Sequence, residues 1–301
     1  MELKKQFKIS LTTCNVLYEP YYKRWIKDRQ FLMPFEKRIQ AFELNKNFFN
    51  SNDIVCFQEF PYSKDNKNEQ SKNSFKKKAK EIFPKNEFKH IKDPQAKSDG
   101  LYSVIKSSTF DLIKSEIITF EKSDDIYVGT KRIQFLSLCL HEKPECTFGI
   151  INTHLPFVKH WFQSSEENSR KLFHQLLDIK SKNNDIQNWI VCGDFNFNIL
   201  GKLKSRYSLL IEESCFDPKK GWKNIVSDFG FSEKSTSVNH ELEMNDYILW
   251  NSQFLFASSV TQIPEDLEHL VKHFNKTENP WFYDDYFSDH SAVKIEFDFQ
   301  N

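Results

Sequence analysis

The stretch Trp189-Ile190-Val191-Cys192-Gly193-Asp194-Phe195-Asn196 constrains the fold more than any other part of the chain. Four apolar residues run directly into Gly-Asp-Phe-Asn. A short continuous apolar run describes a strand buried on both faces. Such a strand needs cover on each side, so it implies a layered protein. Gly193 marks a tight exit or a close approach of two backbones. Asp194 and Asn196 are two apart, so on an extended backbone they project to the same side. A carboxylate and an amide at a rigid strand end can orient a water and hold a phosphate oxygen. Asp and Asn also serve plain turns, so the motif takes its meaning from its neighbours in the chain.

Those neighbours repeat the arrangement. Alternation or apolar runs predict strands at 8–16, 53–57, 101–106, 110–120, 132–140, 146–153, 189–194, 247–250 and 292–299. Helical spacing predicts helices over 35–50, after Pro34, and from Phe75 to Phe83. A third is opened by the capping box Ser164-x-x-Glu167 and continues through Leu172, Phe173, Leu176 and Leu177, and a fourth is expected around 265–274. The polar run 61–74 reads as a loop. Neither a repeat nor a linker interrupts the pattern. The reading is one α/β domain over residues 1–301, two sheets packed face to face with helices outside.

Composition narrows the classes. The chain holds 30 Phe, which points to aromatic packing. With 42 basic and 42 acidic residues the net charge is zero, which argues against wide electrostatic capture of duplex nucleic acid and leaves a local basic groove open. The six cysteines, Cys14, Cys56, Cys139, Cys146, Cys192 and Cys215, form no C-x-x-C pair; they read as small buried hydrophobes of a reducing compartment, not a zinc site. No apolar signal region opens the sequence and no run reaches membrane-spanning length. A cytoplasmic or otherwise intracellular monomer is expected, with export by a route needing no N-terminal signal left open.

Each strong strand ends in a polar group. The first ends at Asn15, the second runs into Glu59, 146–153 into His154, and the central one into Asp194 and Asn196. Another begins at Asp246, and Ser288-Asp289-His290 precedes the last. Two packed sheets bring such ends to one edge. An oxygen-rich set of this kind suits a hard cation such as Mg²⁺, which takes one or two carboxylates and keeps waters and substrate phosphate. Glu59 is the first metal-ligand candidate and Asp289 the second. Singly, each has a bland reading as a turn, a cap or a surface carboxylate; recurrence at six strand ends favours a site.

In this order, Cys14-Asn15-Val16-Leu17, Phe57-Gln58-Glu59, Asn152-Thr153-His154-Leu155, Gly193-Asp194-Phe195-Asn196, Asn245-Asp246-Tyr247-Ile248 and Ser288-Asp289-His290 resemble the motifs of the endonuclease/exonuclease/phosphatase superfamily, the deoxyribonuclease-I-like fold. The resemblance spans nearly the whole chain. Asn-Val-Leu-Tyr in the first strand and Asp99-Gly100 before a later one are most similar to the deadenylase/nocturnin branch. The resemblance implies a four-layered α/β sandwich of two packed, mostly antiparallel sheets flanked by helices. It implies Mg²⁺, with Mn²⁺ as a substitute, held by Glu59 with Asn15 and Asp289. Asp194 would orient or deprotonate the attacking water, and Asn196 would hold the scissile phosphate. His290 would stabilise the transition state, with Asp246 fixing its tautomer, and His154 would contact phosphate or donate a proton. Thr13 and Cys14 stand where many relatives carry an aromatic. Leu17 replaces the acid frequent in the apurinic-endonuclease branch, which lowers the case for DNA repair. Asn245 precedes Asp246 where relatives usually carry an apolar residue.

The fold alone does not choose a substrate. Aromatics follow or precede the motifs: Tyr18, Tyr21, Tyr22 and Trp25; Trp161 and Phe162 after His160; Trp281, Phe282, Tyr283, Tyr286 and Phe287. Lys23, Arg24, Lys27, Arg29 and Lys159 lie among them. Rings with cations suit stacked, unpaired bases, so single-stranded nucleic acid, RNA first, is the expected substrate. The same rings also fit a membrane lipid, for a sphingomyelinase- or phosphoinositide-phosphatase-like enzyme, or plain loop packing. A catalytically inactive binding module of the same fold is the remaining class, against which the full set of motif residues argues.

Overall fold

The computed structural model describes residues 7–16, 35–62, 74–97, 99–119, 132–155, 174–196, 219, 221–225, 237–239, 241–243, 245–263, 288 and 290–300. Its elements in chain order are β1 (Phe7–Asn15), α1 (Phe35–Leu44), α2 (Lys46–Asn50), β2 (Ile54–Pro61), α3 (Phe75–Ile82), β3 (Phe88–Lys92), β4 (Asp99–Lys106), β5 (Phe110–Thr119), β6 (Arg132–Leu140), β7 (Lys143–His154), α4 (174–181), β8 (Asn188–Asp194), β9 (Lys223–Asn224), β10 (Ser237–Asn239), β11 (Glu241–Glu243), β12 (Asp246–Asn251), β13 (Leu255–Ile263) and β14 (Ala292–Phe299).

Two six-stranded sheets result, in the orders β13-β14-β1-β2-β4-β3 and β5-β6-β7-β8-β12-β9, with β10-β11 as a separate hairpin. Only β1–β2 and β7–β8 run parallel; every other neighbouring pair in the two sheets is antiparallel. The period-two rule assigns the faces. Ile9 and Leu11 of β1, Ile54 of β2, Ile150 of β7, Ile190 of β8, Ile248 of β12 and Val293, Ile295 and Phe297 of β14 fill the gap between the sheets. Trp250 meets Phe297 across that gap with centroids 5.4 Å apart, and Phe148 meets Phe299 at 5.9 Å. The opposite face of the first sheet carries Cys14, Val55, Phe57 and Val104, covered by Ile39 and Phe42 of α1, Phe49 of α2 and Phe75 and Ala79 of α3. Leu176 and Ile179 of α4 join the apolar cluster that holds Phe135 and Trp189 of the second sheet. The layers are therefore helix, sheet, sheet, helix. Each fully buried aliphatic or aromatic side chain contributes about 1.5–3 kcal/mol, and aromatic packing is concentrated under α1–α3, where Phe42, Phe49, Phe57 and Phe75 touch.

Two local departures from regular strand place the chemistry. The β2–β4 register shifts between Phe57 and Phe60, where three steps on β2 oppose two on β4. Glu59 is the extra residue, and its φ is +53°. Without this bulge, alternation would send Glu59 outward with Phe57; the left-handed turn sends it to the inter-sheet gap instead. At Gly193, φ is +138° and an added Cβ would lie 1.9 Å from the Thr153 carbonyl oxygen. Only glycine lets β8 lie this close to β7.

The expected helix over 35–50 breaks at Asn45 into α1 and α2. Pro61, read as loop, ends β2. Strands β3 and β13 and the short β9–β11 were not expected. The residues around 265–274, together with Ser164, Glu167 and Cys215, lie outside those described.

Candidate active site

Six of the predicted side chains meet at one end of the inter-sheet gap. Parallel pairing aligns His154 with Asp194, and antiparallel pairing aligns Asp246 with Asp194. The three hang from adjacent strands of the second sheet. The first sheet supplies Asn15 from the end of β1, Glu59 from the β2 bulge and His290 from the approach to β14. Asn15 Nδ2 donates to Asp194 Oδ2 at 2.9 Å, spanning the gap, and lies 3.4 Å from Glu59 Oε1. His154 Nε2 stands 3.4 Å from Asp194 Oδ2 and 3.7 Å from Glu59 Oε1. His290 Nδ1 is 2.8 Å from Asp246 Oδ2, while its Nε2 is 3.8 Å from Asp194 Oδ2. Asp194 Oδ2 is thus faced by one amide and two imidazoles. All six residues are at most 9% exposed.

Asn196 stands differently from the extended reading. The strand ends at Asp194 and Asn196 takes φ +53°. Its backbone N–H donates to Asp194 Oδ1 at 2.8 Å and its Nδ2 to the Leu155 carbonyl at 2.7 Å. It belongs to the site, but as a turn that braces Asp194 rather than as a side chain parallel to it. Asp289 lies outside the described residues, as do the aromatic and basic residues named above around the motifs.

Asp194, Asp246 and His290 offer ligand atoms all within 4.8 Å of one another. Asp246 Oδ2 and His290 Nδ1 are already bonded to each other, so this trio is a carboxylate–imidazole dyad facing a second carboxylate. The oxygen-rich face lies beside it, at Glu59, Asn15 and Asp194. Two carboxylates there share one amide donor, an arrangement that a hard divalent cation fits by charge and by ligand type.

Two cations stand close by that the sequence did not flag. Buried Arg38 of α1 donates to the Val16 carbonyl just past Asn15 and lies over the Phe75 ring at 5.4 Å. Arg132, which starts β6 at the same edge of the sandwich, pairs with buried Asp93 at 2.7 Å. Neither occurs in a motif; each is visible only once the strands are aligned. Burial pushes the Cys14 thiol well up, the Asp246 charge adds to this and Arg38 opposes it, so Cys14 remains a neutral thiol. Cys192, behind Asp194, is likewise pushed up by burial and by its neighbour Cys56. These thiols are packing groups.

No protein-family model and no curated protein matches the chain. Solved structures do. ANGEL2, described as a 2′,3′-cyclic phosphatase, superposes with a TM-score of 0.68 at 15% identity over 97% of this chain and 95% of its own. The human Nocturnin catalytic domain, with a bound sulfate anion, gives 0.62 at 18% identity over 99% and 97%. Truncated Caenorhabditis elegans TDP2 gives 0.61 at 14% identity over 98% of both chains. An endonuclease/exonuclease/phosphatase from Bacteroides vulgatus gives 0.60 at 16% identity over 98% of this chain and 100% of its own. The fold is the one these endonuclease/exonuclease/phosphatase proteins share, and it is the fold that the sequence motifs resemble. Among the described residues no helix is long and apolar enough to cross a membrane.

Proposed function

We propose that this chain is a divalent-metal-dependent phosphoric ester hydrolase acting on single-stranded nucleic acid, RNA before DNA. The observation that carries the proposal is the convergence of Asn15, Glu59 and His290 from one sheet with His154, Asp194 and Asp246 from the other. Oxygen ligands, a buried carboxylate base and two imidazoles at one point suit the charge that develops when a phosphate ester is attacked.

Glu59 and Asn15 would hold Mg²⁺, or Mn²⁺ in its place, with Asp289 as a third ligand. When bound, the ion would supply Lewis-acid neutralisation of phosphate charge. Asp194 is the base. Its Oδ1 is engaged by the Asn196 N–H and its Oδ2 by Asn15, so the carboxylate is fixed in rotation, which a general base requires. Geometry assigns the His290 Nδ1 proton to the bond with Asp246 Oδ2. That leaves Nε2 turned toward Asp194 and toward any phosphate held there. A buried aspartate behind an imidazole holds one tautomer and stabilises the cationic ring. His154 Nε2, on the other side of Asp194 Oδ2, contacts a phosphate oxygen or protonates the leaving group. Asn196 supports Asp194 and borders the phosphate position.

Single-stranded nucleic acid is supported by the zero net charge, by the aromatic and basic residues flanking the motifs, and by two neighbours in fold. ANGEL2 is described in complex with adenosine-2′,3′-vanadate, and Danio rerio TDP2 with single strand DNA product. The test is a panel: labelled single-stranded RNA, single-stranded DNA, duplex DNA, sphingomyelin and phosphoinositide vesicles, each with Mg²⁺ and with chelator. Turnover should be fastest on single-stranded RNA and vanish on chelation. Hydrolysis that survives chelation, or that is confined to the lipids, overturns the reading.

A further inference from the structure

The two halves of the site belong to different sheets, and most of what joins those sheets is apolar. Apolar contact is non-directional; it holds the sheets together without fixing their alignment to the fraction of an ångström that a reacting constellation needs. Directional bonds lie immediately behind the site. Gln58 Nε2 donates to Asn152 Oδ1 at 2.7 Å across the gap and to Thr13 Oγ1 at 3.0 Å. Asn152 Nδ2 returns across the gap to the Phe57 carbonyl and to Ser103 Oγ, both at 3.2 Å. Ser103 Oγ donates to Gln134 Oε1 at 2.7 Å. Thr13, Gln58, Ser103, Gln134 and Asn152 are all fully buried.

Buried polar groups are seldom more stabilising than well-packed apolar ones of the same shape, so five in one row call for another reason. Their placement supplies it. Thr13 stands two residues behind Asn15 on the same face of β1, Gln58 directly precedes Glu59, and Asn152 stands two behind His154 on the same face of β7. Three of the five are thus rear neighbours of site residues, and Ser103 and Gln134 complete their hydrogen bonds.

We propose that two crossings of the gap, Gln58 Nε2 to Asn152 Oδ1 and Asn152 Nδ2 to the Phe57 carbonyl, form a clamp that sets the spacing of the two sheets at their reactive end, and so positions Glu59 of one against His154 and Asp194 of the other. These are positioning residues. The role rests on the reading of the site as a metal-dependent hydrolase, but alignment of the apo side chains can be read without it.

The test uses the full chain with Gln58→Met, Asn152→Leu, the double variant and the milder, isosteric Thr13→Val. Thr109→Val, whose hydroxyl bonds Asp53 at the opposite end of the strands, is the control. Mn²⁺ affinity by calorimetry and kcat on single-stranded RNA should each fall about 10–100-fold in either single variant, with KM little changed. The double variant should be no worse than the worse single one. In long-range ¹H–¹⁵N spectra of the metal-free protein, the His154 ring resonances should move in Asn152→Leu and stay in place in Thr109→Val. A folded Asn152→Leu or Thr13→Val protein with His154 resonances unmoved overturns the clamp, as does one with Mn²⁺ affinity within twofold of wild type. If wild-type protein binds no Mn²⁺, the hydrolase reading fails and the His154 resonances alone decide the clamp.

Discussion

The sandwich has buried or half-buried carboxylates at both ends, and the two ends treat them in opposite ways. At one end Asp53 is enclosed by donors: the Ser10 N–H at 2.9 Å, Ser10 Oγ at 2.9 Å and Thr109 Oγ1 at 2.7 Å. The charge is satisfied locally and ties β1, β2 and the turn before β5 together. At the other end Glu59, Asp194 and Asp246 crowd one corner with two imidazoles, and Asp194 and Glu59 share the single amide of Asn15. Like charges held together destabilise a fold. The first end therefore serves stability, while the second bears a cost that the proposed divalent cation would offset.

That contrast fails or holds first at Asp194. Asp194→Asn removes the proposed base while preserving shape. Turnover of single-stranded RNA should fall by about 10²–10⁴, while the melting temperature stays level or rises, because one of three crowded charges is gone. A variant within tenfold of wild type in kcat would end the assignment of Asp194 as base. Asp246→Asn comes next. It keeps an acceptor for His290 Nδ1 and removes the charge, so kcat should drop on the order of 10² with KM nearly constant. A rise in KM at unchanged kcat would make Asp246 a contributor to binding alone.

Much of this site was legible because of how rigid strands are written. A buried run such as Trp189 to Cys192 is conspicuous, and so is the polar residue at which it stops. The order of those polar residues along the chain then matched a family pattern. Three things were not legible. The bulge at Glu59 carries no glycine to announce it, since the left-handed residue is the glutamate itself. Strand β13, Leu-Phe-Ala-Ser-Ser-Val-Thr-Gln-Ile, lies at a sheet edge with a register shift between Ala257 and Ser259, so its alternation is blurred. The amide pair behind the site joins β2 to β7, 94 positions apart in sequence; Gln58 and Asn152 were visible inside their motifs, but nothing local indicated that they face each other. Pairing across a gap is a tertiary property, and single-strand periodicity is silent on it.

At the satisfied end the expected effect is smaller and of another kind. Asp53→Ala leaves three donors without their acceptor and should cost about 1–3 kcal/mol of stability, read by chemical denaturation. Below its melting temperature the variant should hydrolyse RNA at the wild-type kcat. A kcat loss beyond threefold in folded protein would mean that the two ends are coupled and that the division between them is wrong.

The smallest effect separates the histidines in the same way. His90 of β3 is a structural imidazole: its Nε2 donates to the Phe83 carbonyl at 2.8 Å and its Nδ1 takes the Tyr102 hydroxyl. Burial holds the His90 pKa below its ordinary 6.5, and Lys85, Lys92 and Lys80 push it the same way against the Phe83 bond. Tyr102 is itself pushed far up by burial and keeps its proton to donate. With the folded-state pKa depressed, neutral His90 favours the folded state fully above about pH 6.5. That contribution is lost as the pH falls from there through the folded value, because the unfolded chain takes a proton that the folded one resists. The ring is only partly buried, so the effect should stay under about 1 kcal/mol. His90→Gln should flatten the decline in denaturation midpoint between about pH 7 and 5 without altering kcat at pH 7. An equal decline in both proteins would show that the His90 ring does not contribute to the acid sensitivity of the fold.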